Sequence, residues 1–198
     1  MSGSTVPREV TATGDDRAIG AVLGAHLRAR GLPADSGVSL RWVWVRFLGM
    51  PIGFPNFDAR REILVAHDVH HLLTRYDTTW RGEAEISGFE IASGCKRYWA
   101  AWFFNWGGFL FGLFLCPVRT FCAFVRGRHC ANFYGAPTPD VLHRPVAAAR
   151  AELGLDRPLP RATARDALAF AGWALLVLAV SLVLPLAAAT WSWLLLFG

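Results

Sequence analysis

Charge is missing from two stretches of this 198-residue sequence: residues 98–118 and 167–198 hold no Asp, Glu, Lys or Arg. The chain is also 54% hydrophobic and 13% aromatic with nine tryptophans, richer than an ordinary soluble domain, and the excess sits in those stretches. That points to membrane association. The four cysteines (Cys95, Cys116, Cys122, Cys130) show no CxxC spacing, which argues against a zinc ribbon or a disulfide framework and leaves them as reduced and mostly small core residues. The net charge is +5, yet no basic run exceeds two residues and no nucleic-acid-binding motif is present. Nucleic acid is therefore not an expected partner, and the arginine excess suits the anionic cytoplasmic leaflet of a membrane. Residues 1–16 lack the apolar core of a secretory signal and carry Glu9, Asp15 and Asp16, unlike an acid-poor transit peptide. They read as a disordered lead-in.

No internal repeat divides the chain, so its organisation is read from pattern. A short helical pattern from about Arg17 to Arg30 stops at Gly31-Leu32-Pro33. RWVWVRFLGM (41–50) fits either a strand or a buried helix. MPIGFPNFD (50–58) is expected as a loop, because two prolines and Gly53 break any helix. Asp58 is placed to cap a helix running to about Thr74; a turn at Tyr76–Thr79 leads into a second helix from about Trp80 to Arg97.

Residues 98–118 are long enough to cross a bilayer, but nine aromatics with Gly107, Gly108 and Gly112 better suit a wall around an apolar ligand or a membrane-facing element. A crossing there would also separate twelve upstream Lys/Arg from eight in residues 119–165, leaving both sides basic against the positive-inside rule. The tail is different. Residues 157–166 form a Pro-containing linker, and Thr163 with Asp166 makes a capping box before an apolar run. Residues 167–198 read as a transmembrane anchor, of which 167–187 suffices to cross, with Trp191 and Trp193 near the far interface. A hairpin bent at Pro185 is the alternative. Arg157, Arg161 and Arg165 place the main domain on the cytoplasmic side of an inner (cytoplasmic) membrane.

The chemistry concentrates in AHDVHHLLTRYDTTWRGE (66–83). On a helix, His67 and His71 are one turn apart, and His67, Asp68 and His71 share an arc of about 100°. His70 falls about 60° to the other side of His67. Eleven residues separate His71 from Glu83, room for a turn that brings Glu83 back across a helical hairpin. Two imidazoles with one or two carboxylates suit zinc with open positions, or another divalent ion. The same residues read equally as a polar helix surface. HxxHH also matches one histidine box of membrane di-iron enzymes, but only His26, His129 and His143 remain and none forms a second box. An HD-type phosphohydrolase would need further ligands, for which His26 and Asp140 have no supporting context.

The pattern H-D-x-x-H-x11-E, as His67, Asp68, His71 and Glu83, resembles the signature of the coenzyme Q biosynthesis protein 4 family. Arg60/Arg61 before it, Leu72-Leu73-Thr74, Tyr76-Asp77-Thr78, Gly82, Phe89-Glu90 with Gly94, and PVAAARAELGL (145–155) extend the likeness over about residues 45–156. The chain departs from it at Arg75, where the family has Gly, at Cys95, where it has Pro, and in its extra tail. The resemblance implies a mostly helical domain holding a metal through His67, Asp68, His71 and Glu83 beside an apolar channel for a polyprenyl lipid. It further implies work on a quinone precursor's ring, replacing a carboxylate by hydroxyl; His70, off the ligand arc, is a candidate proton shuttle or a partner behind the ligands, its alternative being a solvated histidine, and zinc is the foremost metal for the donor set.

The expected fold class is thus all-α: a helical metal- and lipid-binding domain over 17–156, a linker, and a C-terminal transmembrane helix. The expected partners are a polyprenyl quinone precursor or other isoprenoid lipid, the membrane, other quinone-biosynthesis proteins and a second copy of the chain. A non-catalytic lipid-presenting scaffold with a structural metal is the alternative function.

Overall fold

The computed structural model describes residues 16–47, 50–159 and 161–197. The lead-in at 1–15 and Pro160 of the linker lie outside them. Ten elements follow one another: α1 (Ile19–Arg28), β1 (Trp42–Phe47), β2 (Met50–Pro55), α2 (Asp58–Thr74), α3 (Trp80–Ser93), α4 (Trp99–Leu115), α5 (Pro117–Arg128), α6 (Thr138–His143), α7 (Val146–Leu153) and α8 (Ala164–Phe197).

The protein is mostly helical, but all-α is corrected by an antiparallel hairpin in which Trp42 pairs with Pro55 and Phe47 with Met50. The expected loop at 50–58 is largely strand β2. Its prolines break helices, yet they are tolerated here because each strand of a two-stranded ribbon has a free edge that needs no ladder donor. Gly53 fits for another reason: the Trp44 ring lies over it, so close that a Cβ would sit 2.7 Å from ring carbons.

Helix α3 is the centre of the bundle. Its residues 84–91 are buried without a break, which fits a helix with neighbours on every side rather than one apolar stripe. Helix α5 crosses it at backbone distance: a Cβ on Gly127 would lie 2.9 Å from the Phe89 Cα. The α1 residues Ile19, Leu23 and Leu27 join Val69, Leu73, Phe89 and Leu153 in the main core cluster. A second cluster joins Phe109 of α4 and Phe124 of α5 to Phe170, Trp173 and Val177 of α8.

Helix α2 carries the histidines; it ends at Thr74 as expected, but its start differs. Asp58 is its first helical residue rather than its cap; Phe57 occupies the cap position with no side-chain bond. Asp58 instead pairs with Arg61 at 2.7 Å. At the other end Arg75 adopts the left-handed conformation, φ 65°, while its N–H donates to the His71 carbonyl at 3.0 Å. An L residue with a Cβ is strained there by about 1 kcal/mol, and Gly is not. Arg75→Gly is therefore expected to raise stability by about 0.5–1 kcal/mol, read as a higher midpoint in chemical denaturation.

The second site helix is shorter than expected, ending at Ser93 because Gly94 takes φ 90°. Its start is as the sequence suggests: Thr79 caps it, accepting from the Gly82 N–H at 3.4 Å. The tail's capping box also forms. Thr163 donates to Asp166 through its N–H (2.9 Å) and hydroxyl (2.7 Å), and Asp166 N–H returns to Thr163 Oγ1 at 3.3 Å. Helix α8 then continues through Pro185 without turning back, so the bent hairpin does not occur. Ala164–Val183, with mean hydropathy 2.1, is long and apolar enough to cross a membrane, whereas α4 is shorter.

Candidate metal centre

His67 and His71 lie one turn apart on α2, and Glu83 opens the first turn of α3 after the Thr79 cap, so the helical hairpin brings all three together. One donor atom from each lies within 4.8 Å of the others, and this group could hold a metal ion. The Nε2 atoms of the two histidines stand 3.2 Å apart. Glu83 Oε2 is 3.5 Å from His67 Nε2, and Oε1 is 3.4 Å from His71 Nε2. Each Glu83 oxygen thus faces one of the two imidazoles, and two imidazole nitrogens with a carboxylate at this spacing are a donor set suited to zinc or another divalent ion.

The outward nitrogens show how the rings are aimed. His71 Nδ1 meets the Tyr76 carbonyl at 3.1 Å, which can only accept, so the proton is on Nδ1 and the Nε2 lone pair faces the site. His67 Nδ1 is 3.2 Å from both oxygens of Glu90. A carbonyl and a carboxylate behind two imidazoles form the arrangement that holds metal-ligating histidines in one tautomer. Two such Nε2 lone pairs at contact repel one another unless a proton or metal cation lies between them.

Glu90 is the residue that pattern reasoning did not assign to the site. Fully buried, it accepts from His67, from His70 Nδ1 (2.7 Å), from Asn105 Nδ2 (2.6 Å) and from the Tyr134 hydroxyl (2.7 Å). Burial alone would raise its pKa, but His67 and His70 hold it well below the usual carboxylate range. Glu83 behaves likewise: burial opposes its charge, and the two histidines lower its pKa. Burial lowers the pKa of His67, and Glu90 with Glu83 more than reverses this, leaving it well above 6.5. A signal for Glu90 was present in the sequence, because it follows Glu83 by seven residues and so shares its helix face.

The other predicted residues separate. Asp68 is not in the donor group; it lies on the cavity wall, where burial pushes its carboxyl up and His67 pulls it part-way back. His70 stands behind the donor group rather than in solvent: its ring is fully buried, its Nδ1 donates to Glu90, which in turn holds His67, and its Nε2 accepts the Phe133 N–H at 2.9 Å. Both nitrogens are in use, so His70 ties α2 to α3 and to the loop at Phe133. His26 is outside the group as well, with Arg30 donating to its Nδ1 at 3.0 Å.

The donor group opens on a cavity of about 1210 Å³ bounded by α2, α4 and the hairpin. Its walls are mainly apolar, from Ile63 and Leu64 of α2 to Phe104 and Phe111 of α4. Arg60 adds a cation there, lying over the Phe54 and Phe104 rings at 5.7 and 5.9 Å. Together these features define a mostly helical protein in which three side chains that could hold a metal ion stand at the edge of a large apolar chamber. Compared with protein families, curated proteins and solved structures, the chain matches none.

Proposed function

We propose that this is a membrane-anchored, metal-dependent protein of quinone or isoprenoid-lipid metabolism that acts on the head group of a prenylated hydroxybenzoate. The reading rests on one observation above all: an open His67–His71–Glu83 donor set faces a cavity whose volume and apolar walls suit a polyprenyl chain. A divalent ion held by these donors, zinc foremost, would supply Lewis acidity toward a ring carboxylate and its neighbouring phenol. The rest falls to the chain itself. Glu90 and the Tyr76 carbonyl hold the two imidazoles in register. Asp68 offers an acceptor to a ring hydroxyl at the cavity wall, and Arg60 offers a cation to an anionic group. The aromatic face of α4 excludes water from the isoprenoid tail. In this reading α8 crosses an inner membrane with the helical body on its cytoplasmic side, and the ring carboxylate leaves as CO2 while a hydroxyl from water takes its place, the two electrons passing to an added acceptor that is a co-substrate.

Elemental analysis and lipid extraction of detergent-purified protein, beside the His67→Ala/His71→Ala variant, test the site. About one divalent ion per chain is expected, lost in the variant, together with a prenylated aromatic acid among the extracted lipids. Loss of ring carboxylate from added prenylated hydroxybenzoate is expected from the native protein only. Metal retained by the variant would remove the site, and lipid binding without turnover in either protein would leave a scaffold.

A further inference from the structure

Helix α4 contains no charged residue, and three of its large side chains are left out of the body: Trp99, Phe103 (65% exposed) and Phe114 (75% exposed). At about 100° per residue they fall within about 60° of arc, a single outer stripe. Each flank of that stripe is occupied. On one side Trp102 stacks on Trp173 with ring centroids 5.6 Å apart, and Trp106 Nε1–H donates to Ser181 Oγ at 3.0 Å, both on α8. On the other, Phe104 meets Phe54 of the hairpin, centroids 6.1 Å apart, and lines the cavity.

The hairpin continues the same surface. Across residues 42–55 the sequence has one charge, Arg46, while Trp42, Trp44 (69% exposed), Met50 and Ile52 are exposed. An isolated two-stranded ribbon showing apolar side chains on both faces is unsuited to water. It is suited to a bilayer interface, where tryptophan is enriched.

The depth of this surface follows from α8. The residues that contact α4, from Phe170 to Ser181, fall inside the stretch Ala164–Val183 that is long and apolar enough to cross. At about 1.5 Å per residue the whole of α8 would be about 51 Å long, more than the roughly 30 Å hydrocarbon core requires. Whatever part of α8 is immersed, its seated half lies at or within the near leaflet, and α4 lies beside it.

We infer that the outer stripe of α4 and the β1–β2 hairpin sit in the near leaflet, so that the cavity opens sideways into the bilayer between them. This rests on the membrane-anchored reading above and adds to it a route: a lipid enters from the leaflet tail-first or head-first without crossing water, and the hairpin is the lip of the entrance.

The full chain in phosphatidylcholine/phosphatidylglycerol nanodiscs tests this, with photoreactive benzoylphenylalanine replacing Trp44, Ile52 or Phe103 in turn. The same probe at Leu182 of α8 reports anchoring, and at exposed Asp140 of α6 reports background. Lipid adducts are expected at 44, 52, 103 and 182 at several times the yield at 140. Adducts at 182 with background yield at the other three would overturn the inference and leave the anchor intact. Crosslinks from the three sites to a second copy would overturn it in favour of a protein interface. Background yield at 182 would end the anchored reading and the inference with it. As a second readout, Trp42→Asp/Ile52→Asp, at exposed positions of the hairpin outside the cavity lining, is expected to slow uptake of a prenylated hydroxybenzoate from vesicles at least tenfold while leaving loading from detergent unchanged; equal loss by both routes would overturn the entrance.

Discussion

Glu90→Ala is expected to leave little folded protein. The substitution removes a fully buried carboxylate that four side chains use at once: His67, His70, Asn105 and Tyr134. The buried His70 Nδ1–H and Tyr134 hydroxyl then have no acceptor, Asn105 keeps only Cys95 Sγ at 3.5 Å, and breaking a buried charged pair in this way costs about 3–5 kcal/mol. Against a total stability of about 5–15 kcal/mol, that is most of the margin. Urea denaturation of detergent-solubilised protein measures it. Glu90→Gln keeps the shape and one good acceptor, so it is expected to fold while binding metal about 10- to 100-fold more weakly, since His67 loses its anionic partner. A Glu90→Ala protein with native stability would mean that the four contacts contribute nothing net. The pH dependence follows from the same group. Its carboxyl titrates lower when folded than when unfolded, so its contribution is complete above the ordinary carboxylate range and disappears as pH falls through the folded value.

Zinc added to metal-free protein is expected to raise stability by about 4 kcal/mol at a concentration a thousandfold above its dissociation constant. Glu83→Ala or His71→Ala should abolish that rise without lowering the metal-free stability by as much. The rise should also grow with pH. His67 holds its proton more tightly in the folded protein than a free histidine does, through Glu90 and Glu83, so without metal this pair stabilises at low pH and the contribution is lost as pH rises through the raised value. A metal must displace that proton, so binding releases protons and strengthens from pH 6 to pH 8. Calorimetry in buffers of different ionisation enthalpy measures the release directly. A zinc response independent of pH, or one unchanged in Glu83→Ala, would place the ion elsewhere.

The parts of this architecture that local chemistry controls were legible in advance. The Thr163–Asp166 capping box, the stop at Gly31, the turn before Trp80 and the approach of Glu83 to His67 and His71 depend on spacings of a few residues or one helical turn. What was not legible depended on distant partners. The hairpin at 42–55 needs Phe104 of α4 beneath it and Gly53 under Trp44, and neither contact is visible in a local pattern where prolines argue for a loop. His70 looked like a spare polar residue because the groups that use its nitrogens, Glu90 and the Phe133 amide, are 20 and 63 residues away. Tyr134 gave no signal at all. Asp68 is a different case: adjacency to His67 in sequence puts it in the ligand arc, and the structure sets it on the cavity wall beside the group formed by His67, His71 and Glu83.

The far end of α2 has a bearing on when this protein becomes competent. Its last carbonyls are taken up by cations made much later in the chain: Arg126 of α5 donates to the Thr74 carbonyl at 3.1 Å, and Arg150 of α7 donates to that of Leu73. During synthesis from the N-terminus, the helix bearing His67 and His71 therefore lacks the first of these clasps until residue 126 has been added and the second until residue 150 has. The donor spacing is therefore fixed only late in the chain's synthesis, and an ion met earlier would find His67, His71 and Glu83 on helices not yet clasped. On the metal-binding, membrane-anchored reading proposed above, loading would be a late step of biogenesis, just ahead of the apolar helix α8.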